Sequence, residues 1–240
     1  MSWGTPTIIG TSLTTTVGAT SGNITSVTAS VNDLVVVSGS IVKSAGSGVT
    51  VSLSDSAGNT YTVIKGYASG PACIGFIGWA YITSSLSAGT ITVSISGGAN
   101  WSSAEAGASK VKGAASSTTE DTSARATTNA AASTSPTITS GTPTNSGEIF
   151  FCTYANAGST ADTFTEDSTH SWTNLYAKTG TTSSTFSQSY EINSGSGTLI
   201  HNPTTTSRAY VQCIMAFNLA ASGGGAKVVS PSLMLLGVGP

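Results

Sequence analysis

Residues 49–63, VTVSLSDSAGNTYTV, limit the fold more than any other stretch of this chain. Val49, Val51 and Leu53 alternate with Thr50, Ser52 and Ser54; beyond Asp55 to Asn59, Tyr61 and Val63 alternate with Thr60 and Thr62. A period of two gives a strand one apolar and one hydroxyl-bearing face. Gly58 supplies the positive φ that a short reversal needs, so the stretch predicts a hairpin. Runs of the same texture are expected to form strands at 7–13, 24–30, 33–42, 73–83, 90–96, 148–154, 171–178, 185–192 and 209–219. Gly, Asn, Asp and Ser punctuate nearly every gap, and no segment carries an apolar repeat of 3.6 residues over three turns. The prediction is an all-β chain.

Two architectures fit so many short strands: a jelly-roll-like two-sheet antiparallel sandwich, or two immunoglobulin-like sandwiches in tandem. The tandem arrangement needs a linker, and 113–147, polar and rich in small residues, is the candidate. Within it SPTITS, 135–140, suits an edge strand, where Pro136 can turn its missing N–H outward. The expected organisation is one β-sandwich domain over 1–220 with a low-complexity excursion at 113–147, followed by a Gly hinge and an apolar C-terminal arm over 221–240. Ser222 to Ala226 form the hinge. Beyond it Val228, Val229, Leu233, Met234, Leu235, Leu236 and Val238 crowd together beside one charge, Lys227. Such an arm needs cover, from its own domain or from a neighbouring subunit.

Ser and Thr make up a third of the chain, charged residues only 8%, and the net charge is −2. Disorder couples low hydrophobicity to high net charge, so this chain is expected to fold. Its eight Lys and Arg residues are scattered from Lys43 to Lys227 and form no basic stripe, which argues against a nucleic-acid partner. No stretch reaches the length of a membrane span. The N-terminus, MSWGTPTIIGTSL, has neither the positive charge nor the long apolar run of an export signal. Cys73, Cys152 and Cys213 are odd in number and each sits in an apolar run, which predicts buried small hydrophobes in a chain folded under reducing conditions.

Catalytic, metal and cofactor-binding residues are not expected. His170 and His201 are the only histidines, and no G-x-S-x-G turn accompanies them. The S-x-x-K match from Ser40 to Lys43 falls inside an apparent strand. Asp162, Glu166 and Asp167 form the one local acidic cluster, but they lack the alternating ladder of an EF-hand calcium loop and read as a solvated loop. Among the aromatics, Trp79 is expected in the core. Trp101 and Trp172 lie near loops, as glycan-stacking rings on display or as apolar plugs at the rim.

Taken in order, VSLSDSAGNTYTV, FIGWAYIT, SLSAGTITVSIS, a small-residue stretch, GEIFFCTYAN and RAYVQCIMAFNLA resemble the β-sandwich proteins carried on tailed-bacteriophage particles. The pattern is most similar to head decoration, or cement, proteins, with tail and fibre components as close relatives. The resemblance implies a structural virion protein without catalytic residues, made in the host cytoplasm and displayed on the particle exterior. It also implies the major capsid protein as partner and a homo-oligomer, a trimer ahead of a dimer. The alternative it leaves open is a receptor- or carbohydrate-binding module of a tail or fibre.

Overall fold

The structure, a computed structural model, describes residues 2–16, 18–43, 48–69, 72–97, 100–158, 162–178 and 184–221. Among these the regular elements are all strands. The first eight are β1 (Thr7–Thr16), β2 (Ser21–Ala29), β3 (Asp33–Lys43), β4 (Thr50–Asp55), β5 (Thr62–Ser69), β6 (Ala72–Tyr81), β7 (Leu86–Ser96) and β8 (Trp101–Lys112). There follow β9 (Glu120–Ser133), β10 (Ile138–Thr139), β11 (Ile149–Asn156), β12 (Phe164–Thr165), β13 (Thr173–Lys178), β14 (Thr185–Ile192), β15 (Ile200–His201), β16 (Thr204–Thr205) and β17 (Arg208–Phe217).

Strands β1 to β8 make one antiparallel sheet in the order β4-β7-β2-β1-β8-β3-β6-β5. It curls until its edge strands β4 and β5 stand side by side, so close that a Cβ added at Gly78 of β6 would meet Cδ1 of Leu53 of β4 at 2.5 Å. The concave face is filled by alternate residues, among them Ile9, Ile24, Val37, Phe76, Ile91 and Ala106. A bulge in β1 between Ile9 and Leu13 helps the sheet bend. There Gly10 takes a φ of 73°, and a Cβ would strike the Thr25 carbonyl oxygen at 2.6 Å.

The second sheet, β13-β14-β11-β17-β9, lies across the convex side of β3, β5, β6 and β8. A second apolar cluster fills the seam, with Leu34, Val36 and Ile77 facing Phe151, Met215 and Phe217. Trp79 meets Phe217 edge to face at 5.6 Å. The molecule is an antiparallel β-sandwich, as the alternation predicts. The first sheet is built wholly from residues before Gly113 and the second from residues after it, yet they share one buried seam instead of standing as two linked sandwiches.

Three expectations are corrected. The two strands of 49–63 form, but β4 pairs with β7 and β5 with β6, so they are opposite edges of one sheet and not a hairpin. The connection is drawn elsewhere: Asp55 Oδ1 accepts from the amides of Ala57 and Asn59 at 2.9 and 3.1 Å, while Asn59 Oδ1 accepts from the amides of Thr83 and Ser84, both at 2.9 Å. Gly58 does take a positive φ, 79°. The supposed excursion at 113–147 carries β9, the longest strand, paired with β17. Within its SPTITS segment, β10 pairs with β15. Finally, β8 sits in the middle of the first sheet between β1 and β3 although no strand is expected there. Its small residues are what the packing needs, since a Cβ at Gly107 would meet the Tyr176 ring at 2.7 Å.

Candidate functional site

The outer face of the second sheet gathers the residues with the most chemical potential. Register fixes which side chains point there: Cys152 on β11, Gln212 on β17 and Ser189 on β14 share the face opposite the seam. The segments around β12, β15 and β16 fold over it and bring Glu166, Asp167, His170, Trp172 and His201 together. An apolar cluster of Ile138, Phe150, Cys152, Trp172 and Ile214 seals the layer.

His201 is the centre. Its Nδ1 lies 3.0 Å from Gln212 Nε2 and 3.2 Å from the Cys152 thiol, and its Nε2–H donates to Glu166 Oε1 at 2.7 Å. The Trp172 ring stands edge-on to the imidazole at 4.9 Å, and its Nε1 donates to the Ile200 carbonyl at 2.7 Å. Glu166 Oε2 accepts from the Ser189 hydroxyl and, at 3.2 Å, from Asn174 Nδ2. Burial pushes Glu166 up, but the His201 bond and charge, with Ser189 and the Asp167 amide, more than offset this and hold it below the usual carboxylate range. Asp167 is likewise opposed by burial, yet bonds from Thr169, Asn202 and His170 bring it down to about 2.

Sulfur, imidazole and carboxylate thus stand in the order of a nucleophile, its base and the group that orients the base. The chemistry does not follow. Cys152 and His201 are both 0% exposed. Burial, reinforced by the negative charge of Glu166, raises the Cys152 thiol well above its ordinary value, the reverse of an activated cysteine. The arrangement is a hydrogen-bonded clamp holding the 162–172 and 193–207 segments onto the sheet.

The acidic cluster is therefore divided among partners: Asp162 pairs with Arg208 at 3.0 Å, Glu166 with His201 and Asp167 with His170 at 2.8 Å. Among the described residues, no group of three His, Cys, Asp or Glu side chains is placed to hold a metal ion. Trp101 and Trp172 are 1% and 6% exposed, so neither ring is displayed for glycan stacking; both plug cores. Ser40 donates to the Asn156 carbonyl at 3.2 Å and Lys43 is buried at the end of the same strand. The three cysteines are free and buried, as their apolar settings predict. The arm residues Val228, Val229, Leu233, Met234, Leu235 and Leu236 lie outside the described residues.

Sequence reading singles out Glu166, Asp167, His170, His201 and Trp172 but not their common location, and it misses Cys152, Ser189 and Gln212 as partners. No local motif links β11, β14 and β17; the signal lies in strand register alone. Comparison with protein-family models, curated proteins and solved structures finds no match in any of the three.

Proposed function

We propose that this chain is a structural protein of a tailed-bacteriophage particle, a head decoration protein that binds outside the capsid between major capsid subunits and reinforces it. The observation that carries the reading is the position of Leu219 and Ala220, among the last residues described. Leu219 bridges to Ala114 and the Ala220 amide donates to the Gly113 carbonyl at 2.6 Å, so the C-terminal segment starts from a fixed point on the rim. In sequence a Gly-rich hinge and seven large apolar side chains follow. Each such side chain buried on a neighbour is worth about 1.5–3 kcal/mol before ordering costs.

Two further features support the reading. The reactive groups are enclosed and committed to one another, and the segments that carry the resemblance to phage sandwich proteins form β4 to β7, β11 and β17. The tail or fibre module is the weaker reading, because Trp101 and Trp172 are buried. On the capsid, a trimer at a symmetry axis would place three arms on neighbouring subunits. The protein would be made in the host cytoplasm and displayed on the particle.

The test is cosedimentation and electron microscopy of the full chain with empty heads. Leu233→Asp with Leu236→Asp is expected to abolish binding while leaving circular dichroism and the melting temperature unchanged. Wild-type protein that never sediments with heads, or a variant that binds as well as wild type, overturns the reading.

A further inference from the structure

A lysine closes one end of the apolar core inside the first sheet. Lys43, the last residue of β3, stands directly across from Trp101, the first of β8. Opposed residues of an antiparallel pair send their side chains to the same face. Here that face is the concave one, since Trp101 belongs to the core inside the sheet and Lys43 falls in step with Val37 and Ile41 along β3. An extra residue on β8 sets this register. Val42 lies across from Ser103, while Ser102 is passed over, exposed, and donates to the Val42 carbonyl at 3.1 Å. The Trp101 backbone is pinned as well, its amide donating to the Ala19 carbonyl at 3.0 Å and its carbonyl accepting from the Gly18 amide at 2.9 Å.

Lys43 is 2% exposed and Trp101 1%, and both side chains end in donors. Neither Lys43 Nζ nor Trp101 Nε1 has a hydrogen-bond partner among the described residues. No carboxylate of the chain stands at this end of the concave side. Of the ten acidic residues, Asp33 begins β3 and Asp55 ends β4, both at the end of the sheet opposite to Lys43. Glu105 lies between Ala104 and Ala106, which face inward, so it points to the seam. The others all follow Gly113, in the half of the chain whose sheet covers the convex side. An enclosed ammonium and an enclosed indole N–H are each strongly unfavourable without an acceptor, and one small acceptor between them relieves both.

We propose that Lys43 and Trp101 hold one small monovalent anion, a halide such as chloride, at this end of the curled sheet. One ammonium matches one negative charge. A sulfate or a phosphate carries more charge and more oxygens than one ammonium and one indole N–H serve, and the next opposed pair on the same face, Ile41 and Ala104, adds only apolar wall. A halide also gives up less hydration than those anions on entering such surroundings. Because the two donors meet only when β3 and β8 are paired, the anion binds the folded chain alone and stabilises it. The site is independent of the capsid reading.

The test titrates the full chain with sodium iodide, whose heavy anion quenches indole emission on contact, holding ionic strength constant with sodium gluconate. The emission of Trp101, taken as the difference between wild type and Trp101→Phe, is expected to fall along a saturating curve that chloride reverses. Lys43→Met keeps the length of the side chain and removes its charge, and should show only a small loss linear in iodide. A linear loss in wild type, or a saturating one that survives in Lys43→Met, overturns the proposal. A second measurement needs no variant. Chloride at about ten times its Kd should raise the folded-to-unfolded ratio of the wild-type chain about elevenfold over gluconate of equal ionic strength. Equal stability in the two salts overturns the site, whatever the chain does with capsids.

Discussion

Inside the curled first sheet the inward side chains, from Ile9 through Phe76 to Ala108, are aliphatic or aromatic apart from Lys43 at one end. The second sheet instead buries Thr153 and Gln188 on its seam face and Ser189, Gln212 and His201 on or above its outer face. The first kind of interior gains free energy in proportion to apolar area and tolerates small displacements. The second gains from directed bonds and penalises any displacement that leaves a donor or acceptor unpaired. The difference assigns two jobs. The first sheet supplies most of the stability, and the polar layers fix how the second sheet and its covering loops sit on it.

The most severe challenge to this division is Phe76→Ala. The ring is 0% exposed and packs so closely on β3 that a Cβ at Gly39 would meet it at 2.7 Å. A loss of about 3–5 kcal/mol is expected in equilibrium urea unfolding. A cost below that of any change in the polar layers would reverse the assignment of jobs.

His201→Phe ranks next, because it keeps a ring while removing the bonds to Glu166, Gln212 and Cys152. The expected loss is about 2–3 kcal/mol at neutral pH. Its pH dependence has a definite sign. Glu166 is held below its unfolded value, so the stability it contributes is present above the ordinary carboxylate range and fades as pH falls through its folded value. The gap between wild type and variant should therefore narrow in acid. A gap that stays constant there would mean that the clamp is held by packing and not by the bond between His201 and Glu166.

A third test concerns the turn before β11. Glu148 is buried, its Oε1 accepting from the Asn145 amide at 3.0 Å, while Asp121 Oδ2 accepts from the amide of neighbouring Thr144 at 2.5 Å. Burial first, then the Asp121 carboxylate, raises Glu148 from 4.5 to about 7. Between those values the folded state binds more protons than the unfolded, so this group lowers stability as pH rises from about 4.5 to about 7. Glu148→Gln removes the fall, and the melting temperature of the variant relative to wild type should climb from pH 5 to pH 8. A constant difference would show that Glu148 ionises freely.

Such contrasts explain what could be read from the sequence. A concentration of large apolar side chains marks β3, β6, β11 and β17, which are buried at nearly every position and stand out against serine and threonine. It is silent on β8, where Ala104, Ala106 and Ala108 fill the inner face, and on β9, whose exposed Thr and Ala residues read as linker. Pairing is less visible still. The separation of β4 from β5 depends on Asn59, itself held by Asp55, binding the 83–84 turn, a contact no local rule supplies. The clamp around His201 is invisible for the same reason, since its members come from five separated segments and meet only when register is set.

The finest discrimination between the two interiors lies in the seam itself. Thr153 Oγ1 donates to Ser38 Oγ at 2.5 Å, and Gln188 Nε2 donates to the same oxygen at 3.0 Å and to the Val36 carbonyl at 3.3 Å, joining β11 and β14 to β3. Ser38→Ala strands two donors, whereas Thr153→Val strands none at Ser38, which still accepts from Gln188. The serine change should therefore cost more than the threonine change, and the pair in a double-mutant cycle should show a coupling of about 1 kcal/mol. Equal single costs with no coupling would mean that the seam is held by Phe151, Met215 and Phe217 alone. In that case the polar layer would fix nothing, and the two sheets would differ in composition without differing in role.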